Sequence, residues 1–141
     1  MSNISNVWRV GSGIGADFAT LSAALAAIHD LPATIEVQGA IAETTTVTAR
    51  SNISVRGLPG ASVTVTSTAT GAGFVFAGTT GAVWQDITLI RAGANANSGV
   101  YCVDVTGAAD STLRFENCYI SNTLTSSGTN GHGMHIGNSA T

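Results

Sequence analysis

The sequence predicts an all-β domain in which short parallel strands wind into about four stacked coils behind one amphipathic helix. Three observations carry this. From Pro32 onward the chain is a run of short alternating or β-branched segments separated by glycine turns, with no second helical period. These segments recur at intervals too short for any one repeat to bury its own core. Only 9% of the 141 residues are charged, while Gly, Ala, Ser and Thr supply half of them. A soluble domain ordinarily carries about a quarter charged residues. A broad β surface of Thr, Ser and Asn accounts for the shortage. The length suits one domain, not two substantial cores.

Taken in order, residues 1–16 read as a flexible, glycine-rich lead-in, and the β domain runs from 17 to 141. GSGIG (11–15) lacks a preceding hydrophobic strand and the lysine of a phosphate-cradling loop, so it reads as an approach to the helix cap. The helix is expected over 20–30. Leu21, Ala24, Leu25 and Ile28 share one face, Thr20 is a suitable N-cap, Phe18 can fold back as a staple, and Pro32 ends it. His29 and Asp30 sit on its frayed, solvent-side end. Strands are expected in 34–39, 44–49, 52–57, 62–67, 73–78, 82–93, 99–107, 111–122 and 133–138.

The later strands repeat. AVWQDITLIRAG (82–93) aligns with TLRFENCYISNT (112–123), matching Trp84 to Phe115, Asp86 to Asn117, Ile87 to Cys118 and Leu89 to Ile120. Upstream lie GFVFAG (73–78) and GVYCVDV (99–105), and GMHIGN (133–138) begins a third copy. Setting Phe74, Val100 and Met134 equivalent puts Phe76, Cys102 and Ile136 in phase, so both sets are expected to stack inward. Asp86 and Asn117 fall at a corner between two strands, where short polar side chains tolerate left-handed backbone. A β-sandwich would explain the short strands, but not the leading helix or the Trp84/Phe115 phasing.

The segment VGSGIGADFATLSAALAAIHDLPATIEVQGAIAE (10–43) resembles the start of the right-handed parallel β-helix superfamily, the pectin-lyase-like fold. The likeness rests on Asp17, Phe18, Thr20, the helix 20–30, Ile35–Val37, Gly39 and Glu43. NISVRGLPGASVTVT (52–66) is similar to an early rung of that family, and VWQDITL (83–89) and LRFENCYI (113–120) to later ones. The resemblance implies a right-handed parallel β-helix of about four coils, with an N-terminal capping helix over its open end. The superfamily holds pectinesterases, pectate lyases, polygalacturonases and phage tailspike depolymerases, together with fibre and adhesin stalks. GMHIGNSAT (133–141) opens a rung and stops, from which we expect further rungs of a longer chain or a homo-oligomer, a trimer by the resemblance.

Charge narrows the functional classes. Lysine is absent, and five arginines against eight acids give a net charge of -3 without a basic run, which argues against nucleic acid. The start, MSNISNVWRVGSG, reads as neither signal peptide nor membrane span. Cys102 and Cys118 read as buried thiols. The groupings nearest to catalytic are Asp104 with Asp110, across the turn TGAA (106–109), and Arg114 with Glu116 on one side of a strand. A glycosidase needs two carboxylates at a set separation; the first grouping reads as turn and loop residues, the second as a solvated face. His132 and His135 are the metal candidates, but they stand on turn and strand without a third ligand. No cofactor is expected. Tyr101 and Tyr119 are candidate glycan platforms. Two classes follow: a structural or adhesive fibre segment on a virion or cell surface, with weak polysaccharide binding and no hydrolase or lyase activity of its own, or a polysaccharide-degrading enzyme of the same fold.

Overall fold

A computed structural model describes residues 6–66, 71–93, 101–107, 112–123 and 132–137. It is a parallel β-solenoid. Strand β1 (Val7–Val10) and helix α1 (Leu21–Ala27) come first. The first coil is β2 (Ala33–Val37), β3 (Ala40–Glu43) and β4 (Val47–Thr48). The second is β5 (Ile53–Gly57), β6 (Ser62–Thr66) and β7 (Phe74–Ala77). The third is β8 (Val83–Gln85), β9 (Thr88–Ala92) and β10 (Tyr101–Thr106), and the fourth β11 (Arg114–Glu116), β12 (Tyr119–Asn122) and β13 (His132–Ile136). Like strands of successive coils pair parallel into three sheets, ordered β1-β2-β5-β8-β11, β3-β6-β9-β12 and β4-β7-β10-β13.

Alternation decides what points inward. The first sheet stacks Ile35, Val55, Trp84 and Phe115 in register, and the second stacks Ile41, Val63, Leu89 and Ile120. The third stacks Val47, Phe74, Val103 and Met134, with Phe76, Val105 and Ile136 beside them. The expected equivalence of Phe74 and Met134 therefore stands, but the middle rung is corrected from Cys102 to Val103 and Val105; Val100 lies outside the described residues. The cause is local. Cys102 and Val103 are both buried, so the alternation counted from Cys102 starts on the wrong residue. Ile136 shares a line with Val105 yet is 73% exposed. Trp84 and Phe115 are in register as expected. Phe76 meets both rings edge-on, with centroids at 4.8 and 4.9 Å.

The corners follow the sequence closely. Asp86 and Asn117 adopt φ of 56° and 50°, and the Asn117 amide donates to Asp86 Oδ1 at 2.8 Å. One coil earlier Gly57 occupies this line, where an added Cβ would stand 2.1 Å from the Asp86 carbonyl oxygen. Only glycine lets the two backbones approach so closely.

The N-terminal region differs from the sequence expectation in three ways. The stretch 1–16 contains β1, which pairs with β2 through Trp8 and Ile35, so a strand does precede GSGIG. Second, Ala40–Glu43 is a strand; its AIAE pattern carries too little β-branched character to stand out. Third, the helix spans Leu21–Ala27 rather than 20–30. Thr20 caps it as expected, its Oγ1 accepting from the Ala23 amide at 3.3 Å. Leu21, Ala24 and Leu25 are buried along it, with Ile28 buried just past its end. Phe18 packs on Trp8 at 5.9 Å. Both helix ends are held from the first coil. The buried Glu43 carboxylate accepts from the Ser22 amide at 3.0 Å and its hydroxyl at 2.6 Å. At the other end the Arg50 guanidinium donates to the carbonyls of Leu25 and Ile28. Each charge has the sign that complements the helix dipole.

Candidate functional site

The third sheet brings together three residues that the sequence offered separately. Asp104 on β10 is in register with His135 on β13. Their neighbours Val103 and Val105 are buried, so both side chains point outward. His135 Nδ1 lies 2.7 Å from Asp104 Oδ1, and the two side chains are 40% and 25% exposed. The Tyr101 ring lies flat on the imidazole, with centroids 4.5 Å apart and planes 14° from parallel. A carboxylate on Nδ1 fixes the orientation of the ring and leaves Nε2 as its other donor or acceptor. The arrangement can orient a proton-exchanging imidazole beside an aromatic surface.

The remaining candidates lie elsewhere. Arg114 and Glu116 are exposed on β11, on the outer side of the first sheet. Tyr119, at the start of β12, is 66% exposed and belongs to the second sheet, so the two tyrosines do not form one platform. Asp110 lies outside the described residues, and so does the side chain of His132. Among the described residues no group of three or more His, Cys, Asp or Glu side chains is placed to hold a metal ion.

Most of the other described carboxylates are bound within the fold. Glu36 on β2 takes Arg56 of β5 and Arg9 of β1, the latter at 3.3 Å. Asp17 accepts from the Arg9 amide at 2.8 Å. Glu43 holds α1 and Asp86 holds Asn117. The sequence had shown these acids only as single and widely spaced. Their partners lie 8 to 31 positions away in the chain. The rung register relates Glu36 to Arg56 and Asp86 to Asn117, whereas Asp17 and Glu43 meet partners outside it. Both cysteines are free. Burial pushes the Cys102 thiol up to about 11 and raises Cys118 as well, which keeps both protonated and unreactive.

Comparison with protein-family models, with curated proteins and with solved structures finds no match to this chain.

Proposed function

We propose that the chain is a scaffold segment of a surface fibre, of the tail-fibre, tailspike or adhesin kind, whose outer faces hold polysaccharide weakly. In this reading the coils form a right-handed parallel β-helix and α1 caps the first of them. Further rungs or a homotrimer complete the assembly, and the protein sits on a virion or an extracellular surface. The observation that carries the reading is the employment of the carboxylates. Glu36, Glu43, Asp17 and Asp86 each tie one strand, helix or corner to another. Acids used in this way stiffen a solenoid that is otherwise stabilised only by neighbour-to-neighbour contacts. The outer ladders of Thr, Ser and Asn supply hydroxyl and amide groups that suit sugar hydroxyls, and Tyr101 and Tyr119 supply ring faces.

A second reading, a polysaccharide-degrading enzyme, is favoured by the Asp104–His135 pair. A carboxylate that orients an imidazole is half of an acid–base site. The deciding experiment incubates the chain with neutral and acidic polysaccharides and measures both retention and new reducing or unsaturated ends. Retention without new ends is the expected result. Chain cleavage that disappears in Asp104→Asn or His135→Gln would make the enzyme reading primary. Sedimentation of the same sample should show self-association; a single monomeric species would remove the trimer.

A further inference from the structure

We propose that the corner between the first and second sheets is a binding site for one neutral pyranose unit of a glycan. This rests on the glycan-holding reading above and names the site and the sugar class. The site arises from unequal corner lengths. Four residues, Leu58 to Ala61, separate Gly57 from Ser62 in the second coil, whereas only Ile87 separates Asp86 from Thr88 and only Cys118 separates Asn117 from Tyr119. The longer corner stands out from the surface and the two shorter ones leave a groove of about 540 Å³ beside it. That volume lies within the roughly 300–1,000 Å³ of small-ligand sites.

The protruding wall is pre-formed. Ala61 donates its amide to the Leu58 carbonyl at 2.9 Å, and Gly60 has φ of 82°. Pro59 followed by a left-handed glycine is the signature of a type II turn. A turn locked by proline loses little entropy when a ligand settles against it. Across the groove stands Tyr119, 66% exposed, whose ring offers an apolar face of the kind that C–H groups of a pyranose can cover. Between them Asp86 lines the floor. Its Oδ1 accepts from the Asn117 amide at 2.8 Å, which orients the carboxylate and leaves Oδ2 as an acceptor. Thr88 adds a hydroxyl to the same lining. An oriented carboxylate, an amide and a hydroxyl around an exposed ring match adjacent sugar hydroxyls.

Charge sets the class. Among the side chains lining the groove, Asp86 is the one carboxylate, and no Lys, Arg or His stands with it. An unpaired acidic sugar would meet like charge there, so uronate chains are disfavoured and neutral ones are accepted.

The test titrates the chain with neutral oligosaccharides (gluco-, manno- and galacto-configured) and with oligogalacturonate, following Kd and the amide signals of Thr88 and Tyr119. Neutral sugars should bind and move those signals. Tyr119→Ala should raise Kd by about five- to tenfold, with Tyr119→Phe close to wild type. Asp86→Asn keeps a residue type that accepts left-handed backbone and should gain affinity for oligogalacturonate. Unchanged melting temperatures would establish that each variant is folded. Neutral-sugar binding that survives Tyr119→Ala but is lost in Tyr101→Ala would overturn the corner site and leave the glycan-holding reading intact. Binding of oligogalacturonate alone by the wild type would do the same. Should no saccharide bind, both fall together.

Discussion

Trp84 and Phe115 occupy neighbouring rungs of one inward line, yet their surroundings differ. Trp84 is fully buried between rungs, with Phe74 and Phe76 edge-on to it. Phe115 is half-buried on β11 and shares Phe76. Deleting a large enclosed ring leaves a cavity that a rung hydrogen-bonded on both sides cannot collapse into. Trp84→Ala should therefore lower unfolding free energy by about 3–5 kcal/mol. Phe115→Ala should cost about 2 kcal/mol, since less of its surface leaves water. Urea denaturation of the two variants measures both. Equal losses would show that the rings are equally enclosed. Arg91 illustrates the same dependence on surroundings. It lies on the inward line of β9, 1% exposed, and donates to the carbonyls of Val65 and Ala92; burial lowers its pKa.

Among the elements, α1 is too short to be stable alone. Seven residues fall well below the roughly 12–15 an isolated helix needs in water. Its stability comes from Leu21, Ala24 and Leu25 against the strands and from the two charges at its ends. Glu43 is 3% exposed, so its two hydrogen bonds to Ser22 are made away from water and count for more. Glu43→Gln should cost about 1–3 kcal/mol, and Arg50→Met about the same. Hydrogen exchange locates the effect: the Ile28 amide, which donates to Ala24 at 3.1 Å, should exchange faster in both variants. Unchanged exchange there would mean that packing alone holds the helix.

Across the whole molecule, one outward line of the first sheet joins β1 to the fourth coil. Arg9, Glu36, Arg56, Gln85 and Glu116 stand in register along it. Glu36 sits between two guanidinium groups. The hydrogen bond from Arg56 is the main force holding its carboxyl below the ordinary 4.5; desolvation opposes this, and Arg9 adds to the lowering. A depressed carboxyl stabilises the fold fully above its unfolded pKa, and that contribution disappears as pH falls through the folded value. Acid unfolding should accordingly steepen below about pH 4.5, and Glu36→Gln should lower stability at neutral pH and flatten that limb, the two proteins converging at low pH. Both arginines are partly solvated, so high salt should shrink the difference. An acid limb identical in the variant would assign it to other carboxylates.

The repeating pattern of β-branched residues, the glycine corners and the Asp86/Asn117 equivalence were all readable in the sequence. Each depends on local rules: period two for a strand, left-handed tolerance for a corner, one hydroxyl for a helix cap. The Trp84/Phe115 match could be read for the same reason, since two similar strings of residues align without knowledge of what surrounds them. Tertiary structure decided the rest. The phase of β10 depends on Cys102 and Val103 both facing inward, which no alternation rule predicts. β1 is a strand because β2 is there to pair with it, four residues being too few to signal themselves. Asp104, His135 and Tyr101 come together because the rung register places residues 31 apart side by side. The groove at Asp86 exists because the second coil turns that corner with four residues where the third and fourth use one. Composition and spacing describe one rung at a time. Partners between rungs depend on loop lengths that accumulate along the chain, and only the wound structure adds them up.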